Sequence, residues 1–233
     1  ILEDLNRPAP EHIFQRTCAP EKAPNKASIC KLSFFRGNLI SVNGKKDKPK
    51  NLLKKLNILG SKNAIGRVDL VENRFLGIKS RGVYETPGGT ILLFAHKAIE
   101  SITLNKEQMH LKDEIMPRYA ELIYNGFWFS KERKKFQKII DNTQKRVEGT
   151  IKLKLYKGNI MILERKSSKS LYSKNLASFE VNKNFDSKKA ENFISAFLDQ
   201  YIFYPQTIGE QRFKNLNFSF RGIIGHFKFI NLC

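Results

Sequence analysis

No stretch of the 233-residue sequence approaches the roughly 18 consecutive apolar residues of a membrane-spanning helix. A charged start followed by an apolar core is also missing, so no secretory signal is read, and position 1 is Ile rather than Met. Cysteines are few: Cys18, Cys30 and Cys233. An odd count at these spacings fits neither a disulfide framework nor a zinc site. They read as reduced thiols in a reducing compartment, which points to the cytoplasm. The four histidines, His12, His96, His110 and His226, form no i, i+4 pair, so no metal site is argued. His96 reads as a packed helix histidine. No GxxxxGK[ST] phosphate loop occurs.

Acidic residues are also scarce, 22 against 42 Lys and Arg, which gives a formal net charge of +20. That surplus invites a nucleic-acid reading. It is spread over residues 45–62, 131–154 and 165–169, among many Asn, Ile and Phe, as an A+T-rich coding bias leaves it. No helix-turn-helix, RNP or zinc-finger pattern accompanies it. A basic surface alone gives only non-specific affinity, so no specific nucleic-acid partner is expected. Hydrophobic residues are 41% of the chain, enough for a packed core and against global disorder.

Residues 1–27 are polar and carry Pro8, Pro10, Pro20 and Pro24, an irregular lead-in that must lie on something larger. Residues 30–35 and 39–42 flank Arg36-Gly37-Asn38 as a hairpin, with a second turn at Asn43-Gly44. Leu52, Leu53, Leu56 and Leu59 share one face of a helix over 50–62, which Gly60 is expected to close. A helix over 90–102 opens after Thr86-Pro87, and Gly88-Gly89 reads as a glycine-rich helix entry. A helix over 106–124 has the apolar face Leu111, Ile115, Tyr119, Leu122 and Ile123, with a break expected at Pro117. Phe127-Trp128-Phe129 reads as core. Ser130 is the expected N-cap of a helix over 131–146, whose Phe136, Ile139, Ile140 and Thr143 face inward. Residues 147–156 and 160–164 make another antiparallel hairpin around Lys157-Gly158-Asn159, and a further strand or turn pair is expected over 170–180. Hairpins and helices without regular βαβ alternation predict an α+β fold.

The chain is organised around residues 66–89. This stretch has three carboxylates (Asp69, Glu72, Glu85), four cations (Arg67, Arg74, Lys79, Arg81) and five glycines. Its net charge is only +1, so the surplus lysines are expected on outer faces away from it. Glycine density permits close backbone approach to a ligand. Val68, Leu70 and Val71 predict a short buried strand that delivers Glu72, and Tyr84 ends the next extended segment. Both side chains hydrogen-bond, and Glu72 can pair with an ammonium. As bare chemistry such a pair is more often structural than functional, since ion-pair networks mimic sites.

Val71-Glu72-Asn73-Arg74, followed by Lys79-Ser80-Arg81-Gly82-Val83-Tyr84-Glu85-Thr86-Pro87, resembles argininosuccinate synthase. Ile1-Leu2-Glu3-Asp4, Ile13-Phe14-Gln15 and Pro20-Glu21-Lys22-Ala23-Pro24 resemble it upstream. Tyr119-Ala120-Glu121-Leu122-Ile123-Tyr124-Asn125-Gly126, Thr143-Gln144-Lys145, Lys154-Leu155-Tyr156-Lys157-Gly158-Asn159 and Ser170-Leu171-Tyr172 continue it in order. A long ordered series is more specific than one short motif. The resemblance covers residues 1–194, the family's synthetase and multimerisation domain, and leaves 195–233 as a divergent tail.

The resemblance implies a ligase. ATP adenylates the ureido oxygen of citrulline, and the amino group of aspartate then displaces AMP. It implies citrulline contacts for Glu72 and Tyr84, and a homotetramer. The family's Ser-Gly-Gly-Leu-Asp-Ser type loop is not found here, so ATP and aspartate are expected on a nucleotide-binding half that precedes this chain in a longer enzyme. The alternatives are a non-catalytic oligomerisation remnant of that enzyme, or a basic nucleic-acid module.

Overall fold

The computed structural model describes residues 2–174. The divergent tail at 195–233 and most of the segment expected over 170–180 lie outside them.

In chain order the elements are β1 (Ser28–Phe35), β2 (Asn38–Val42), β3 (Lys45–Lys46), α1 (Pro49–Lys62), β4 (Arg67–Asn73), β5 (Lys79–Glu85), α2 (Pro87–Thr103), α3 (Lys106–Tyr124), α4 (Lys131–Thr143), β6 (Gly149–Tyr156) and β7 (Asn159–Lys166). This is the α+β fold the sequence predicts.

Five strands form one antiparallel sheet in the order β3-β2-β1-β6-β7. Its hairpins are set by two-residue loops. Arg36-Gly37, Asn43-Gly44 and Lys157-Gly158 all have positive φ at both positions. That geometry matches the right-handed twist of paired strands. Asn38 and Asn159 are therefore the first residues of their strands and not turn residues.

The long-range closure pairs β1 with β6, from Ser28 opposite Leu155 to Phe34 opposite Gly149. Alternation puts Cys30, Leu32 and Phe34 of β1 and Ile151, Leu153 and Leu155 of β6 on one buried face. Against it lie Leu52 and Leu56 of α1 and Ile91, Ala95, Ala98 and Ile99 of α2. Burial pushes the Cys30 thiol up to about 11, so it stays a neutral, inert core residue.

Several expectations are corrected. Gly60 does not close α1 but lies within it, where a Cβ would sit 2.7 Å from Pro87 Cβ. It is a contact point between α1 and α2. The turn out of the helix falls at Asn63 and at Ala64, whose φ is 59°. The helix after Thr86 starts at Pro87, three residues earlier than expected. Thr86 makes no side-chain cap; instead Asn57 Oδ1 of α1 accepts the Gly88 N–H at 2.9 Å.

Pro117 does not interrupt α3, which runs unbroken to Tyr124 and stops at Gly126, with φ of 82°. Along α3 only Leu122 is buried, and Leu111 and Ile123 are exposed. Phe127, Trp128 and Phe129 are exposed as well, contrary to the core reading. Aromatic composition alone does not distinguish a core from an uncovered surface. Ser130 does cap α4, accepting the Arg133 N–H at 3.1 Å. The regular part of α4 stops at Thr143, and Gln144–Arg146 tightens to a 3₁₀ turn. Ile139 of α4 is exposed. Beyond β7, Leu171 donates its N–H to the Ile102 carbonyl at 2.7 Å, and residues 167–174 contain no strand.

Candidate functional site

β4 and β5 form a separate two-stranded antiparallel ribbon between α1 and α2. The buried strand expected here is not what forms. Val68, Leu70 and Val71 are 38%, 37% and 47% exposed, on a two-stranded ribbon that is separate from the five-stranded sheet. A short apolar run does not by itself fix burial.

Strand alternation divides the ribbon into two faces. One carries Arg67, Asp69, Arg81 and Glu85 and is bound to the N-terminal lead-in. Arg67 grips the Glu11 carboxylate with two bonds of 2.8 Å and donates to Thr17 Oγ1 and the Thr17 carbonyl, both at 2.8 Å. Its guanidinium also lies 4.0 Å from the centre of the Phe14 ring. Arg81 pairs with Asp69 and donates to the carbonyls of Asp4 and Arg7 at 3.1 and 2.9 Å. Glu85 accepts the backbone N–H groups of Gln15, Arg16 and Thr17 at 2.7, 3.0 and 2.8 Å. Burial raises the Glu85 pKa, but the Thr17 hydroxyl and these three N–H groups outweigh it and hold the carboxyl below its ordinary value. The lead-in thus lies on the ribbon, as its composition required.

The other face carries Leu70, Glu72, Ser80, Gly82 and Tyr84, with Arg74 just past the end of β4. Glu72 is opposite Ser80, Leu70 opposite Gly82, and Val68 opposite Tyr84. Tyr84 lies along its own strand, over Gly82, and its hydroxyl donates a short hydrogen bond to Glu72 Oε1. This bond, more than burial, raises the phenol pKa above its ordinary value. Arg74 Nη1 lies 3.2 Å from the same Glu72 oxygen, and Arg74 Nε donates to Ser80 Oγ at 2.5 Å. Tyr124, at the end of α3, lies beside Arg74 and, ahead of Glu72, raises the guanidinium pKa above its ordinary value.

The two side chains singled out in the sequence therefore meet directly. The Glu72 side chain is 24% exposed and Tyr84 is 41% exposed, on an open surface. Arg74 holds Glu72, and Arg81 is committed to the other face. Gly82, Ser80 and Tyr124 were given no role from sequence. The first two follow once the register pairs 72 with 80. Tyr124 arrives through tertiary packing alone.

A second polar cluster joins the helices. Glu100 is buried and accepts from Lys112 Nζ at 2.5 and 2.6 Å and from Gln144 Nε2 at 2.7 Å, with His96 Nδ1 at 3.5 Å. Burial opposes its charge, but His96 and Lys112 outweigh burial and hold the carboxyl at about 2. His96 packs edge-on against Phe34 at 5.7 Å, as a packed helix histidine. Among the described residues, no group of three His, Cys, Asp or Glu is gathered to hold a metal.

The family model for the arginosuccinate synthase C-terminal domain matches residues 1–201. Argininosuccinate synthase from Pelagibacter ubique is 62% identical over 195 residues, covering 84% of this chain and 49% of that protein.

The chain belongs to the argininosuccinate synthase family.

Similar proteins of the same name from Brucella canis and Brucella suis are each 59% identical, covering 83% of this chain and 48% of theirs. The chain thus spans about half the length of the curated relatives it matches. Within an argininosuccinate synthase C-terminal domain, the Glu72–Tyr84–Arg74 group falls in the two motifs that carried the resemblance, and the lead-in falls in the upstream ones. Among the described residues no helix is long and apolar enough to cross a membrane.

Proposed function

We propose that this chain is the citrulline-facing part of an argininosuccinate synthase, the ATP-dependent ligase that condenses citrulline with aspartate and releases AMP and diphosphate. Glu72 takes the α-ammonium of citrulline, and Tyr84 takes a neutral polar group of the same molecule. ATP and aspartate sit on the nucleotide-binding half of the longer enzyme, which works as a cytoplasmic homotetramer. The observation that carries the reading is the direct Tyr84–Glu72 contact on the open face of the ribbon. A carboxylate and a phenol this close address one small ligand together, and an open face leaves room for a second domain to cover it.

Arg74 sharpens the chemistry. It already neutralises Glu72, so an incoming ammonium meets a paired carboxylate and not a bare one. Ser80 gives the guanidinium another partner when the ammonium takes its place.

The test joins this chain to the nucleotide half of the Pelagibacter ubique relative. Glu72→Gln removes the charge and keeps the shape. Charge-assisted hydrogen bonds contribute about 1.5–3 kcal/mol, so the citrulline KM rises about tenfold to a hundredfold. The ATP KM stays as it was. An unchanged citrulline KM overturns the assignment.

A further inference from the structure

We propose that Gly82 is a positioning residue: its missing side chain is the slot through which the Tyr84 ring reaches Glu72. The inference rests on the reading of Glu72 and Tyr84 as a citrulline site and adds a residue to it.

The register shows why a slot is needed. Tyr84 is opposite Val68, and Glu72 is opposite Ser80, so the two stand four pairs apart along the ribbon, with the Leu70–Gly82 pair between them on the same face. Side chains in a strand stand roughly perpendicular to the sheet, and a ring that stood so would not meet Glu72. Tyr84 instead lies along β5 across position 82, which is on the same face. A Cβ at Gly82 would sit 2.7 Å from Tyr84 Cε2, 2.9 Å from its hydroxyl oxygen and 3.0 Å from Cζ. All three are sub-van der Waals approaches to the far end of the phenol. Gly82 is buried although Tyr84 and Leu70 beside it are exposed.

A backbone requirement does not explain this glycine. Gly66 and Gly77, in the same stretch, have φ of 92° and 79°, which an L side chain rarely adopts. Gly82 has no positive φ and sits in regular ladder pairing with Leu70. Alanine fits such a backbone and suits a strand at least as well as glycine. The three atoms nearest to a methyl group here all belong to the Tyr84 phenol. It is a mobile side-chain end, so it gives way while the ribbon stays. The ring then leaves Glu72, and one of the two groups that face the ligand is turned away.

Gly82→Ala in the present chain tests the geometry. Ring-carbon NMR follows the tyrosine titrations, with Tyr84→Phe identifying the signal among seven tyrosines. The wild-type phenol titrates above the ordinary tyrosine range, and in Gly82→Ala it returns to that range, as it does in Glu72→Gln. An unmoved Tyr84 titration overturns the inference. So does a variant that fails to fold, because then the backbone and not the ring needs the glycine.

The functional arm uses the chain joined to the nucleotide half of the Pelagibacter ubique relative. Gly82→Ala raises the citrulline KM about fivefold or more, the size of one lost hydrogen bond, and by as much as Tyr84→Phe. A KM raised by Tyr84→Phe but unchanged by Gly82→Ala overturns the positioning role alone. A KM unchanged by Tyr84→Phe and Glu72→Gln alike overturns the citrulline reading, and this inference with it.

Discussion

Thr17 and Glu85 are joined twice: the Thr17 backbone N–H donates to Glu85 Oε1 at 2.8 Å, and the Thr17 hydroxyl donates to the same oxygen at 2.6 Å. The Gln15 and Arg16 N–H groups complete the enclosure of the carboxylate. One carboxylate at the end of β5 thereby fixes a proline-rich segment that has no regular structure of its own beyond two short 3₁₀ turns. The consequence for function is the asymmetry of the ribbon. One face is occupied by the lead-in, and the other is left with Glu72, Tyr84 and Arg74 presented outward.

Removing that anchor is the first prediction. Glu85→Ala strands three backbone donors and a hydroxyl, a loss on the order of 2 kcal/mol. For a domain of this size the thermal midpoint falls by about 5 °C or more. Trypsin cuts at Arg16 sooner than in wild type. Glu85→Gln keeps an acceptor oxygen and loses less. Calorimetry and limited proteolysis read both effects; an unshifted midpoint with unchanged cleavage removes the anchor from the account.

Gly60→Ala reverses the usual sign of a glycine substitution in a helix. An unhindered helical position gains about 1 kcal/mol on this change. Here the new methyl group meets Pro87 Cβ at 2.7 Å and the Pro87 carbonyl carbon at 2.9 Å. Forcing α1 and α2 apart costs about 1–3 kcal/mol. Urea denaturation is expected to show a lower midpoint, and a raised midpoint shows that the helices separate freely.

Glu100 gives the fold an acid limit. Its pKa in the folded chain is about 2, below its ordinary 4.5. A group depressed on folding contributes stability that is complete above the unfolded value and is lost as the pH falls through the folded one. The stability difference between wild type and Glu100→Gln is therefore greatest above pH 4.5 and shrinks toward pH about 2. Other carboxylates titrate in both proteins and cancel in the comparison. Thermal midpoints measured over this range check it; a pH-independent difference sinks it.

The 233-residue chain by itself is expected to make no argininosuccinate. No phosphate-binding loop of the family's type is present in it, and the relatives it matches are about twice as long. Incubation with ATP, citrulline and aspartate yields no AMP. AMP formation that depends on both amino acids refutes this and moves the nucleotide site into the present sequence.

Local chemistry was enough for the hairpins, because asparagine or glycine at two-residue turns leaves few other geometries, and it was enough for the Ser130 cap and the amphipathic α1. The family motifs singled out Glu72 and Tyr84, a pair that bare chemistry reads more often as structural. Local chemistry did not decide what covers what. Val68, Leu70 and Val71 have the composition of a core strand but lie on a two-stranded ribbon, and the aromatic run at 127–129 is uncovered. Burial depends on which elements arrive from far along the chain. The pairing of β1 with β6 brings together segments more than a hundred residues apart. Glu85 on the lead-in, Tyr124 beside Arg74 and Gly60 against Pro87 are likewise meetings of distant residues. The pairing of 72 with 80 and 70 with 82, which turns Gly82 from a strand-weakening glycine into a slot for a phenol, exists only once the ribbon has folded. The sequence singled out Glu72 and Tyr84; the tertiary structure decided that they face each other, because long-range register is set by the sum of packing and not by any one segment.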